Sequence, residues 1–290
     1  MFEQVVFAGG GNRCWWQAGL WDIAAPALGL KPRVIAGASA GAATACMLYA
    51  NDSEHVLRYY AHALAGNRKN FYASRLLRGE RPFPHGPIYR QALLDILGGP
   101  HFERLRRTAP EIRVQFARIP PWLGPRSAVA VGLVAYNIEK YARKSLHPTF
   151  GRRLGFTPDV RRVQDCATPE ALASLLIASS CTPPITPIEL IDGRPTIDGG
   201  LVDNVPVDAV DANGGPTLVL VTRRYPRYPE VWRIGGLTYV QPSRKVPTSS
   251  WDYTNPAAMR HTWEQGRQDA HTLLRALEAP DAIARFDSRR

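Results

Sequence analysis

The 290-residue chain has no apolar run approaching the roughly 20 residues that a membrane-crossing helix requires. A soluble protein is therefore expected. Cysteine is scarce: Cys14, Cys46, Cys166 and Cys181 are widely spaced and form no C-x-x-C pair, so neither a metal site nor a disulfide framework is indicated. The thiols are expected to stay reduced and partly buried. Residues 1–8 have no basic stretch before their short apolar run and pass straight into a glycine loop, which reads as a first strand and not as a signal peptide. The expected location is cytoplasmic, with or without peripheral membrane contact. Internal repeats and low-complexity linkers are also missing, so one domain over 1–290 is the simplest account. Acidic residues are in deficit: 25 Asp and Glu face 36 Lys and Arg, a net charge of +11 in which arginine predominates. Such a balance attracts anionic membrane surfaces, nucleic acids or phosphorylated substrates, and a solvated basic surface with no specific partner fits it equally. No nucleic-acid module signature and no base-stacking alternation of aromatics occurs, so no nucleic-acid partner is expected.

What is present centres on Val34-Ile35-Ala36-Gly37-Ala38-Ser39-Ala40-Gly41-Ala42-Ala43. A short apolar strand, a glycine-bracketed serine and a run of small helix formers predict a strand-turn-helix elbow that holds Ser39 out as a nucleophile. Gly37 and Gly41 remove Cβ atoms where strand and helix crowd the turn. A helix over roughly 39–50 aims its free N–H groups and positive dipole end at the same point, where they would stabilise charge on a carbonyl oxygen.

A strand over 3–8 leads into Gly9-Gly10-Gly11-Asn12-Arg13, followed by a helix over 15–25. Three glycines let backbone N–H groups face a ligand unobstructed. The dinucleotide spacing G-x-G-x-x-G fails because position 14 is Cys, and no G-K-[ST] follows, which makes a nucleotide cradle and its cofactor the weaker reading. An oxyanion hole is the stronger one, since both loops leave parallel strands at the same carboxyl edge of a sheet. Further on, Asp198-Gly199-Gly200 places a carboxylate after a strand end, which is equally plain turn chemistry.

Between these stretches, helical spacing runs over 53–66 and 88–97, the latter after a proline-rich turn at 82–87. A basic, aromatic-laced stretch at 68–81 suits either a headgroup boundary or ordinary packing. Strands are predicted over 112–117, 128–135 and 217–222, with a basic stretch over 136–162. A helix capped by Thr168 with Pro169 at its first position runs to 178, and a long helical segment occupies 256–278.

The three stretches together resemble the patatin-like phospholipase family: Gly9 to Arg13 its oxyanion loop, Gly37-Ala38-Ser39-Ala40-Gly41 its nucleophile elbow, and Asp198-Gly199-Gly200 its aspartate motif, with Asn204 and Pro206 fitting the pattern beyond. The resemblance covers about 2–210, and the last 80 residues carry no motif of this kind. It implies a three-layer α/β/α sandwich around a mostly parallel sheet, and hydrolysis of acyl lipids or phospholipids by a serine-aspartate dyad without metal or cofactor. Carried over by position, Ser39 would attack the ester carbonyl and Asp198 would take its proton. Gly10, Gly11 and Ala40 would hold the oxyanion, and Arg13 would anchor the loop. A free carboxylate titrates near 3.9, too low for a good base at neutral pH, so partial burial of Asp198 is required. Two alternatives stand beside this. One is an α/β-hydrolase triad, for which Ser39, Asp198 and His261 occur in suitable chain order; the other is a non-catalytic membrane-binding module that keeps the fold.

Overall fold

The structure, a computed structural model, describes residues 2–108, 110–124, 127 and 145–287. Strands β1 (Gln4–Phe7) and β2 (Val34–Ala38) are buried at every position, as nearly unbroken runs of Val, Ile, Phe and Ala require of strands covered on both faces. They pair in parallel with each other and continue outward to β3 (Glu111–Arg118) and to β7 (Thr217–Leu220). The flanks add β4 (Thr157–Arg162), β5 (Leu190–Ile191) and β6 (Arg194–Ile197) on one side. On the other lie β8 (Val231–Ile234), β9 (Leu237–Val240) and β10 (Arg285–Phe286). Among the described residues the order is β10-β8-β9-β7-β1-β2-β3-β6-β5, with β4 also paired to β3. The expected parallel sheet is met in the middle, whereas β3–β4, β3–β6, β5–β6 and β8–β9 are antiparallel.

Helices flank this sheet. The longer ones are α1 (Trp15–Ala27), α2 (Ala40–Ala50), α3 (Ser53–Leu64), α4 (His85–Leu97), α5 (Pro100–Thr108), α6 (Pro169–Ser179) and α7 (Pro256–Glu278). Alternation along β1 divides the core: Val5 and Phe7 pack with these long helices. Val6 and Ala8 face a second cluster built with Val205, Ala209, Tyr228, Trp232 and Tyr239. The helix at 256–278 and the Thr168 cap, whose Oγ accepts from the Ala171 amide, lie where the sequence placed them. The helix predicted from 88 begins earlier, at His85, with Pro87 tolerated in the first turn where its missing N–H costs nothing. The strand predicted over 128–135 lies outside the described residues, as do 136–144 of the basic stretch; the end of that stretch is β4, an exposed strand that alternates too weakly to be read.

First and last long helices close on one another. A Cβ on Gly19 would lie 1.9 Å from the Trp263 carbonyl oxygen, and one on Gly266 would lie 2.1 Å from that of Trp16, so only glycine permits this crossing. Two indoles lock it reciprocally: Trp16 Nε1 donates to Asp269 at 2.7 Å and Trp263 Nε1 donates to Asp22 at 2.9 Å.

Candidate active site

Register brings the motifs together. Ala38 at the end of β2 is level with Gln115 on β3, and β6 runs antiparallel to β3 so that Gly199 lies against the Gln115 carbonyl. Asp198 thereby arrives beside Ser39, 159 positions away in sequence, and Ser39 Oγ donates to Asp198 Oδ2 at 2.8 Å.

The elbow itself is strained. Ser39 has φ 54° and ψ −138°, a conformation that costs a non-glycine residue on the order of 1–3 kcal/mol. A strut holds it: the Ser39 amide donates to Ser179 Oγ at 2.8 Å, and that hydroxyl donates to the Gln115 carbonyl at 2.5 Å. Crowding is as the glycine bracket implied, since a Cβ on Gly37 would meet Ala42 Cα at 2.5 Å and one on Gly41 would meet the Phe7 carbonyl oxygen at 2.5 Å.

Asp198 accepts at both oxygens. The Gly200 amide reaches Oδ1 at 2.6 Å, and the Thr182 hydroxyl joins Ser39 on Oδ2 at 3.3 Å. Removal from water raises the carboxyl from its ordinary 3.8 to about 6, a rise that the bonds from Gly200, Ser39 and Thr182 moderate. Burial pushes the thiols of Cys14 and Cys181, the cysteines nearest this carboxylate, up to about 12, so both stay neutral and unreactive.

The glycine loop is pinned from three sides. Gly9 donates to the Asn204 carbonyl at 2.9 Å, while its own carbonyl accepts from Asn204 Nδ2 at 3.0 Å and Thr222 Oγ at 2.7 Å. Gly11 adopts φ +57°, and a Cβ there would lie 2.2 Å from the Ser250 carbonyl oxygen. Asn12 reaches the same segment, its amide to Ser250 and its side chain to Asp252. Among the described residues, none accepts a hydrogen bond from the N–H of Gly10, Gly11 or Ala40. Arg13 lies farther along the loop, lining the cavity that holds Asp198.

Two cavities meet at Ser39. One, about 780 Å³, runs between α1, α2, α3 and α4 past Trp15, Met47, Val56, Tyr60 and Tyr89. The other, about 640 Å³, holds Arg13, Thr182, Asp198 and Asn204, and Gly11, Ser250 and Trp251 border both. His261 is exposed on α7 and lines neither cavity. His85 does line the larger one, but its Nε2 is 2.9 Å from the Trp251 carbonyl, and burial lowers its proton affinity. Ser179, Thr182, Thr222, Ser250 and Trp251 were not singled out from the sequence as site residues.

The family model described as patatin-like phospholipase matches residues 5–211. The chain belongs to that family. Lipid acyl hydrolysis is thus its family activity. Among solved structures, the patatin-like chain is similar to the crystal structure of VipD from Legionella pneumophila, with 11% identity, a TM-score of 0.47, and coverage of 95% of this chain and 67% of VipD. No curated protein matches it. All three patatin-like motifs fall inside the matched stretch, while Thr222, Ser250 and Trp251, which complete the walls around them, come from beyond it.

Proposed function

We propose that this patatin-like chain hydrolyses carboxylic esters of phospholipids or related acyl lipids with a Ser39–Asp198 dyad. The 2.8 Å contact between Ser39 Oγ and Asp198 Oδ2 carries the reading, because no histidine stands between them. Ser39 Oγ attacks the ester carbonyl carbon as its proton passes to Asp198 Oδ2, giving a tetrahedral oxyanion. The N–H groups of Gly10, Gly11 and Ala40 are free to receive that charge. Asp198 returns the proton to the departing alcohol oxygen as the C–O bond breaks, leaving an acyl-serine. Water then repeats the sequence: Asp198 takes its proton, the acyl group leaves as a carboxylic acid, and Ser39 recovers its hydrogen. A carboxyl raised to about 6 suits this shuttle, being ionised at neutral pH yet far more basic than an exposed aspartate. The larger cavity supplies apolar walls for an acyl chain, and the net charge of +11 suits an anionic interface.

Mass-spectrometric analysis of products from a mixed phospholipid extract tests this. Wild type should release fatty acid and take up a fluorophosphonate label, Ser39→Ala should do neither, and His261→Ala should retain most activity. A collapse of about 1000-fold in His261→Ala would establish the triad instead. An unlabelled, inactive wild type would leave only a binding module.

A further inference from the structure

The stretch 68–81 exposes apolar side chains that no core needs. Leu77 is 91% exposed, Leu76 56% and Phe71 47%, and the single helical turn Ala73–Leu76 buries none of its residues. Isolated exposed apolar residues are ordinary, but three within one short stretch mark an interaction surface. Around them stand five cations, Arg68, Lys69, Arg75, Arg78 and Arg81, against one carboxylate, Glu80. Glu80 is held by Arg78 at 3.0 Å, and the Arg75 guanidinium lies over the Tyr72 ring, so the charge around the tip stays strongly positive.

This surface is tied to the larger cavity. Asn67 Nδ2 donates to the Tyr253 carbonyl at 2.8 Å, the Tyr253 amide donates to Asn70 Oδ1 at 2.8 Å, and Asn70 Nδ2 donates to Asp252 at 3.2 Å. A relay of rings follows the same route: Phe71 to Phe83 at 5.3 Å, Phe83 to His85 at 6.3 Å and His85 to Tyr253 at 4.5 Å. His85 and Tyr253 are walls of the cavity that ends at Ser39.

We infer that the 68–81 segment is the surface by which this chain docks on an anionic phospholipid bilayer, setting the mouth of the acyl cavity over the leaflet. The inference rests on the acyl-hydrolase reading and names where its substrate comes from. Charge complementarity selects the occupant: apolar tips ringed by cations match a boundary where acyl chains lie beneath phosphates. Leu76, Leu77 and Phe71 enter the acyl layer, and the arginines remain at the phosphates.

Vesicle sedimentation in a Ser39→Ala background, which leaves the lipid intact, tests the surface independently of catalysis. Equimolar phosphatidylcholine and phosphatidylglycerol vesicles should bind the protein, with binding weakened by salt, and pure phosphatidylcholine should bind it poorly. Leu76→Ser with Leu77→Ser should cut binding by at least ~10-fold, and Arg75→Gln with Arg78→Gln by about fivefold per charge. With Ser39 restored, these variants should lose vesicle-lipid hydrolysis in step with binding while hydrolysing a soluble short-chain ester like wild type. The inference is overturned if both variants bind like their parent, or if the parent does not distinguish the two vesicles. It is equally overturned if the leucine changes only convert a dimer to a monomer, since a second copy would then cover the patch. A wild type inert toward the soluble ester would sink the dyad instead, and sedimentation would still decide the docking surface.

Discussion

Replacing Asp198 with Asn separates the proposed role as base from everything else the carboxylate does. Asparagine is nearly the same size, its Oδ1 can keep the bond from the Gly200 amide, and its Nδ2 can donate to the hydroxyl oxygens of Ser39 and Thr182. What it loses is a charge held in a poorly solvated place. The folded carboxyl titrates at about 6 against an ordinary 3.8, so between those values the native state binds more protons than the unfolded one. Stability therefore falls as pH rises through that window and is flat above it. The gap corresponds to about 3 kcal/mol of destabilisation of wild type above about pH 7. Asp198→Asn should recover it: at about pH 8 its Tm should exceed wild type by about 5 °C, with roughly half that gain left at about pH 5. Ester hydrolysis should fall by at least ~1000-fold in the same protein. Wild-type kcat/KM should climb about tenfold per pH unit up to about 6 and level off above. Calorimetric scans at both pH values and a pH–rate profile are the assays. A variant no more stable than wild type, or equally stabilised at both pH values, would refute the buried-charge argument.

Ser179→Ala removes the strut, leaving the Ser39 amide and the Gln115 carbonyl unpaired in a buried position; kcat should drop by about tenfold with KM little changed, at a stability cost of about 1–3 kcal/mol. Steady-state kinetics beside denaturant unfolding will separate the two effects, and a parallel rise in KM would point to a pocket defect. Gly266→Ala gains helix propensity but forces its methyl onto the Trp16 carbonyl oxygen. Net destabilisation of about 1–3 kcal/mol is expected in urea titrations, whereas a stabilised variant would show that the crossing has slack.

Much of the architecture was legible because its central strands are continuous apolar runs and its long helices show helical spacing or a clear start, as at Thr168 with Pro169. Ser39, Asp198 and the glycine loop stood out because each needs small residues or a turn at fixed spacing. The edges were less legible. β4 is exposed along nearly its whole length, and β5 has only two residues, so neither offers an alternating pattern. The walls of the site were hidden for another reason. Thr182, Ser250 and Trp251 act through where the chain returns in space, and nothing local distinguishes them from ordinary loop residues. Asp198 was legible as a candidate, but the enclosure that raises its proton affinity belongs to the packed structure.

The glycine loop has a temporal consequence. Its shape depends on Asn204, Thr222, Ser250 and the carbonyl of Asp252, the last contributed 240 positions after Asn12. At ~5–20 residues per second, tens of seconds of synthesis separate the loop from the residues that mould it. α1 likewise waits for α7 before its tryptophan and glycine find their counterparts. A nascent chain that already carries Ser39 and Asp198 thus still lacks the contacts that fix the backbone of residues 9–12. On the proposed mechanism, ester-cleaving capacity would arise only once the C-terminal third has folded back around the loop.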